Sequence, residues 1–278
     1  MIGQTTITMI RRIGSYLFLS LTAVVCMYPA LWVVLSSFRP GNSLFSETLF
    51  PSDFTAIHYR ELFTNYLFGQ WYLNTLTVAV PSMLLGTILI LTTSYAFSMF
   101  RFPSRKQLMN SLLVLGLFPG FMSMIAIYIL LNQLNLLNTH IALIIVYAAG
   151  APLQFLFAKS YFDTIPKSLI EAARIDGAGH LGIFLRIVIP LARPLIVFTS
   201  LLTFTGAFTD FIFAKMVLRS PEMKTLAIGL FDIVNNPFAV DFTVFAAGCV
   251  LVALPITIFF ILMQRHLIDG LTAGADKG

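Results

Sequence analysis

Long apolar segments recur along the chain, and short polar or charged segments separate them. A helix that crosses a membrane needs about 20 largely apolar residues, and the chain contains six stretches of this kind. We therefore predict six membrane-spanning helices, over approximately residues 13–38, 71–100, 108–131, 140–158, 195–213 and 244–263. The first stretch is too long for the apolar part of a cleaved leader, so we expect it to be retained.

The composition fits a helix bundle in lipid better than a soluble domain. Apolar residues make up 58% of the chain and charged residues only 10%, whereas a soluble domain usually carries about 25% charged residues. So few charges cover the two ends of a bundle but not the surface of a globule. This excludes a soluble enzyme and predicts an all-α membrane protein, with one transmembrane domain over residues 1–278.

The Lys and Arg residues lie mainly on one side of the predicted membrane. The chain has 17 of them, and most fall in segments that are cytoplasmic if the N-terminus is inside. Because short cytoplasmic loops carry an excess of Lys and Arg, we expect both termini in the cytoplasm and the helices in a cytoplasmic membrane. The basic residues are not clustered on one face, so we expect no nucleic-acid partner.

The longest predicted cytoplasmic segment, residues 159–194, has the pattern of a helix-turn-helix. Ser168 and Glu171 have the spacing of a capping box, in which the two residues bond each other's backbone N–H groups where a helix begins. Gly177 suits the left-handed position that ends a helix. A second helix is predicted from about His180 until Pro190 interrupts it.

The first of these helices is too short to be stable in water without packing partners. Ala173 and Gly177 lie four residues apart and form a strip that another surface can approach closely, and Leu169, Ile170 and Ile175 supply apolar contacts around it. Two interpretations remain open at this point. The helix packs on the chain's own spans, or it docks on another protein.

The same segment resembles a known family. The order Glu171-Ala172-Ala173, then Gly177, then Ile187 and Ile189-Pro190 is similar to the EAA loop of the permease subunits of binding-protein-dependent ABC importers, with Ile189 where Leu is usual. The resemblance implies a type I importer permease whose short helix docks in a cleft of a separate ATPase. The residues implied in this coupling are Ser168, Glu171, Ala172, Ala173, Gly177, Ile187, Ile189 and Pro190.

The resemblance also implies partners and cofactors. ATP and Mg²⁺ would be bound by a dimer of the partner ATP-binding subunit, and this chain itself would hold no cofactor. A second, homologous permease subunit would complete the path, and an extracytoplasmic sugar-binding protein would deliver the substrate. The outer loop over residues 214–243 is implied to contact that binding protein.

The end of the chain narrows the family further. Residues 253–278 resemble the smaller permease of maltose and maltodextrin importers, which implies malto-oligosaccharides as the substrate. Importers of other sugars and of glycerol phosphate share the plan and remain alternatives. The resemblance implies that the tail, residues 264–278, reaches the ATPase through Gly270, Gly274 and Lys277, while a frayed terminus is the alternative.

Asp210 is the one acidic residue within an apolar stretch. Charges inside a membrane are costly and often functional, so it is a candidate for the transport path. Its position near the outer end of the fifth predicted span favours a water-facing carboxylate or one that pairs with Lys215.

Motifs for other chemistry are missing from the sequence. It has no Gly-x-x-x-x-Gly-Lys-Ser/Thr phosphate loop and no Gly-x-Ser-x-Gly, and its four histidines do not have the spacing of metal ligands. We therefore expect a transport subunit rather than an enzyme, and no metal site. A carrier that acts alone is a remote alternative, because it leaves the cytoplasmic helices without a purpose.

Overall fold

The computed structural model describes residues 2–43, 48–51, 53–150, 152–236 and 240–275, and these residues form helices and connecting turns without a strand. The chain divides into two compact units. The first combines residues 1–67 with 230–253, and the second combines residues 68–229 with 254–278. The prediction of an all-helical chain is confirmed for the part of the chain that the structure describes.

The α-helices are numbered in chain order. They are α1 (Ile2–Ser37), α2 (Ile57–Thr64), α3 (Phe68–Met99), α4 (Arg105–Leu117), α5 (Gly120–Gln133), α6 (His140–Ala149), α7 (Pro152–Asp163), α8 (Lys167–Ile175), α9 (His180–Ile183), α10 (Ile189–Leu191), α11 (Arg193–Thr209), α12 (Ile212–Val217), α13 (Leu226–Val234) and α14 (Phe242–Ala275). A π-helical turn occupies Phe184–Val188, and a 3₁₀ turn occupies Pro221–Met223.

Four segments within the described residues are long and apolar enough to cross a membrane. They are Arg11–Ser37, Phe68–Met99, His140–Asp163 and Phe242–Arg265. The number rises to six if each of two sharply bent helix pairs forms one span. Six spans therefore remain a prediction, whereas several apolar helices of spanning length are established.

The third predicted span, residues 108–131, is not one straight helix. It consists of α4 and α5, which are bent by 106° relative to each other. Phe118 precedes Pro119 and has an extended backbone, with φ −69° and ψ 136°, because the proline ring disfavours the helical conformation of the residue before it. Residues 108–131 therefore contain a sharp bend at Pro119, and their assignment to one span stays a prediction.

The fourth and fifth predicted spans also have different ends. The fourth continues beyond residue 158 to Asp163, where the Lys159 ammonium pairs with the Asp163 carboxylate one turn later. It is interrupted at Gly150, whose φ of +66° is a conformation that only glycine adopts without strain. The fifth ends at Thr209 rather than at residue 213, because the backbone of Asp210 is extended.

The second unit is organised around α3, which packs against α6, α7 and α11. Its inward face carries large apolar side chains together with small hydroxyl groups, and the hydroxyls bond mainly to backbone carbonyls. The Ser94 hydroxyl, for example, donates to the Phe155 carbonyl of α7 at 3.2 Å. In the first unit, α1 exposes every side chain over residues 11–31, as a lipid-facing apolar helix would.

Candidate coupling site

Residues 167–191, called the coupling segment below, run from α8 to α10. Helix α8 begins at Lys167 with Pro166 as its N-cap, and no side chain caps it. Ser168 is thus the second residue of the helix rather than its cap, and the predicted capping box with Glu171 is wrong. The Pro166 carbonyl accepts from the Leu169 N–H at 3.2 Å, and the helix starts two residues before the position that a Ser168 cap would require.

The end of α8 follows the prediction. Gly177 has a φ of +83°, the left-handed conformation that terminates a helix. Its N–H donates to the Arg174 carbonyl at 3.0 Å, and the Ala178 N–H donates to the Ala173 carbonyl at 2.9 Å. These two bonds form a Schellman motif, which fixes where α8 stops and how the chain turns towards α9.

Gly177→Ala is expected to loosen this turn. A side chain at positive φ costs about 1–2 kcal/mol, although a Cβ atom at Gly177 would meet no atom within 4 Å. Hydrogen exchange of the Ala178 amide should therefore accelerate by roughly five- to thirtyfold for about 1–2 kcal/mol. Gly177→Asn should exchange more slowly than the alanine variant, because asparagine tolerates this conformation better. Equal protection in all three proteins would contradict a strained turn.

The inner face of the coupling segment packs on this chain's own helices. Ile170, Ala173, Ile183 and Val188 are buried in one cluster with side chains of α3, α7 and α11. Ala173 is only 9% exposed. The predicted small-residue strip of Ala173 and Gly177 is therefore not an open docking surface, because its alanine is covered by the spans.

The exposed side of the segment, called the outer face below, carries large apolar side chains among charged residues. Ile175 is 86% exposed, Leu181 70%, Leu185 53% and Leu169 45%. Of the motif residues, Ser168, Glu171, Ala172, Gly177 and Pro190 are also exposed, whereas Ile187 and Ile189 are half-buried against the inner cluster. The segment thus has one face packed on this chain and an outer face whose large apolar side chains are not covered by the residues that the structure describes.

Pro190 does not interrupt the second helix. The Ile189 N–H bonds to the Phe184 carbonyl five residues earlier and closes a π-helical turn before the proline. A proline removes one helical donor and crowds the carbonyl four residues earlier, and the wider turn accommodates it. The chain bends by 78° between Leu191 and Arg193, so the redirection into the fifth span occurs at Ala192.

Asp210 connects two helices near the end of α11. Its Oδ2 atom accepts from the Tyr147 hydroxyl at 2.5 Å, and its Oδ1 atom accepts from the Phe213 N–H at 3.1 Å. The carboxylate thereby caps the start of α12 and holds it against α6. The Lys215 ammonium lies over the Phe211 ring, 5.2 Å from the ring centre.

Sequence reasoning missed the residues that fix the segment around the 3₁₀ turn. The Asn74 amide of α3 donates to the carbonyls of Glu222 and Lys224, at 2.6 and 2.9 Å. The Asn138 side chain accepts from the backbone N–H groups of residues 219 and 220. The His140 ring donates to the carbonyl of residue 223 at 3.0 Å. Three side chains thus hold residues 219–224 in one shape.

Asn74→Leu is expected to release this segment. The substitution removes two hydrogen bonds, each worth about 1 kcal/mol, from a side chain that is 4% exposed. Trypsin cleavage after Arg219 and Lys224 should become faster by roughly tenfold or more. Gln70→Leu is the matched control, because it removes the hydrogen bond from Gln70 to Asn74 and leaves both donors of the Asn74 amide to the segment in place. Equal cleavage rates in the two variants would contradict a clamp by Asn74.

The C-terminal residues lie at the end of α14. Gly270 and Gly274 are within this helix, and Lys277 lies outside the described residues. A search of the described residues finds no group of three or more His, Cys, Asp or Glu side chains that could hold a metal ion.

Residues 70–272 match the family described as binding-protein-dependent transport system inner membrane component. The chain is 40% identical to the galactooligosaccharides transport system permease protein GanQ of Bacillus subtilis (strain 168), over 97% of this chain and 96% of the relative. It is 38% identical to the maltodextrin transport system permease protein MdxG of the same organism, over 99% and 100% of the two chains.

A solved structure has a similar fold. It is a crystal structure of a bacterial ABC transporter involved in the import of the acidic polysaccharide alginate, with a TM-score of 0.79 and 25% identity over 92% of this chain and 96% of that chain. The relatives are permease proteins of transport systems, which confirms a transport subunit rather than an enzyme and the resemblance to ABC-importer permeases. The chain belongs to the binding-protein-dependent transport system inner membrane components, a family of multi-pass membrane proteins.

Proposed function

We propose that this chain is one of two permease subunits of an ATP-driven importer for oligosaccharides, with both termini in the cytoplasm. The observation that carries the proposal is the two-faced coupling segment. Its inner face is packed against α3, α7 and α11, while its outer face presents Ile175 and Leu181 at 86% and 70% exposure.

The exposed apolar side chains on the outer face of the coupling segment favour binding to a protein partner. Each fully buried Ile or Leu side chain is worth about 1.5–3 kcal/mol relative to exposure, so a cleft that covers Ile175 and Leu181 gains several kcal/mol. The segment is predicted to face the cytoplasm, where an ATPase subunit can provide that cleft. Because the inner face is buried against α3, α7 and α11, a displacement of α8 by the ATPase is passed to these membrane-spanning helices.

A second surface fits the delivery of the substrate. The segment 219–224 is predicted to lie outside the cell, and three side chains fix its shape. Preorganised surfaces lose less entropy when they bind, so this segment suits a docking partner such as an extracytoplasmic sugar-binding protein.

The proposed contact of Gly270, Gly274 and Lys277 with the ATPase is tested by removing residues 271–278. Unchanged transport would assign them to an uninvolved terminus.

The substrate that we favour is a maltodextrin, on the pattern of residues 253–278 and on the 38% identity to a maltodextrin permease. A galacto-oligosaccharide is the second candidate, because the chain is 40% identical to a permease for that class. Two relatives at nearly equal identity do not separate these classes, and a direct measurement is needed.

The experiment is to purify the complete complex with its binding protein and to measure ATP hydrolysis with a panel of ligands. The panel contains maltotriose, maltotetraose, galactotriose and glycerol 3-phosphate. Stimulation by the two malto-oligosaccharides supports the favoured substrate, and stimulation by galactotriose alone replaces it with the second candidate. Uptake by cells that lack the ATPase would overturn the proposal in favour of a carrier that acts alone.

A further inference from the structure

Tyr95, near the end of α3, lies between several parts of the second unit. It is 6% exposed, and its ring contacts Phe162 of α7 at 6.5 Å and Phe184 of the coupling segment at 4.8 Å between ring centres. Its hydroxyl donates to the His180 carbonyl of α9 at 3.3 Å. One side chain thus joins α3 to the coupling segment by apolar packing and by a directed hydrogen bond.

This contact matters because α3 has no short covalent connection to the coupling segment. Helix α7 leads into the segment through residues 164–166, and α11 follows it directly after Ala192. The chain from α3 reaches the segment only through α4 to α7. A motion of the segment therefore reaches α3 through side-chain packing.

The position of the contact along the segment is also informative. Tyr95 touches His180, which lies before the π-helical turn at residues 184–188, and Phe184, which is the first residue of that turn. A π-helical turn interrupts the regular bonding of a helix and often occurs at functional sites. The hydrogen bond from Tyr95 to the His180 carbonyl holds the segment before this turn. Helix α11 follows the turn in the chain, so a displacement of α8 and α9 reaches α11 along the backbone only through the turn. A displacement of α9 can therefore be transmitted to α3 directly through the contact between Tyr95 and His180.

We propose that Tyr95 is a positioning residue that transmits displacement of the coupling segment to α3 during transport. This inference rests on the proposed function. It adds to that function a transmission of movement from the segment to α3 through side-chain contacts. This comes in addition to the transmission to α7 and α11, which are joined to the segment by the backbone. If the transmission to α3 is lost, the complex still hydrolyses ATP but transports less sugar for each ATP hydrolysed.

The test uses the complete complex in proteoliposomes, with Tyr95→Leu and Tyr95→Phe compared with the wild type. The readout is the ratio of sugar transported to ATP hydrolysed, per complex with bound ATPase subunit. Couplings between sites are typically worth about 5- to 150-fold, so the ratio should fall by roughly tenfold in Tyr95→Leu. Tyr95→Phe keeps the ring and loses one hydrogen bond, which corresponds to a fall of about two- to tenfold.

Tyr66→Phe and Tyr66→Leu are the matched controls. The Tyr66 hydroxyl donates to Asp241 Oδ2 at 3.1 Å, and both residues belong to the first unit, whereas the coupling segment belongs to the second. These variants lose a tyrosine hydrogen bond to a carboxylate rather than to a carbonyl, and their ratio should equal that of the wild type. A merely structural role of Tyr95 would lower the yield of complex but leave the ratio unchanged.

The outcomes separate the two proposals. A normal ratio in Tyr95→Leu, with an active wild type, would overturn the role of Tyr95 and leave the proposed function intact. If Tyr95→Leu does not assemble, the ratio in Tyr95→Phe decides instead. A wild-type complex without any sugar-stimulated hydrolysis would overturn the proposed function itself.

Discussion

Ile175→Asp is expected to abolish transport while the subunit remains folded and in the membrane. The side chain is 86% exposed, so its removal costs the isolated chain little. In the proposed complex it is buried in the ATPase, and its loss removes about 1.5–3 kcal/mol of apolar burial, a roughly ten- to hundredfold weaker docking. The buried carboxylate adds a desolvation penalty. Copurification of the ATPase and sugar uptake are the two measurements.

Ile175→Leu provides the control, because it keeps an apolar side chain of the same volume at this position. It should retain ATPase binding and uptake near the wild-type level. Leu181→Asp should behave like Ile175→Asp, since Leu181 is another large apolar side chain of the coupling segment and is 70% exposed. Normal uptake by both aspartate variants would mean that the outer face of the coupling segment does not dock.

Hydropathy predicted the long helices well because lipid imposes one simple requirement on their composition. Helices α3 and α14 appear within a few residues of the predicted starts, and Pro81 and Pro255 lie inside them without a break. Pro119 lies at a sharp bend instead. A proline in an apolar segment thus has two outcomes, and the neighbouring helices that decide between them are not visible in the local sequence.

The orientation of α8 illustrates a second limit. The helix has only nine residues, and its apolar residues include Ile175 as well as Ile170 and Ala173, so the sequence alone does not show which of them pack on this chain and which remain for a partner. Gly177 was predictable because a left-handed helix end favours glycine. The burial of Ala173 was not, because it depends on α3, α7 and α11 being in place.

The residues that the sequence did not reveal act over long separations. Asn74 bonds to carbonyls 148 and 150 residues later in the chain, and Tyr95 bonds to one 85 residues later. Asn and Tyr are ordinary residues at helix ends, and no local spacing distinguishes these two from others. Only the packing of α3 against distant segments identifies their roles.

Ala173→Asp is expected to destabilise the subunit rather than to uncouple a folded one. Ala173 is 9% exposed within the apolar cluster that holds α8 to the spans. An uncompensated charge at a buried position costs about 3–5 kcal/mol, and protonation of the carboxylate still leaves a polar group among apolar side chains. The melting temperature of the purified complex should fall, and hydrogen exchange throughout α8 should accelerate by more than a hundredfold for about 3 kcal/mol.

Ala172→Asp separates this effect from the loss of helix propensity. Ala172 is the preceding residue of the same helix and is exposed, so the substitution adds an identical carboxylate without burying it. Its melting temperature should stay within a few degrees of the wild type, because exposed substitutions usually change stability by about 0.5 kcal/mol or less. The difference between the two variants therefore measures the burial of the inner face. Equal melting temperatures would mean that α8 is not anchored to the spans, and the proposed transmission of motion would lose its physical basis.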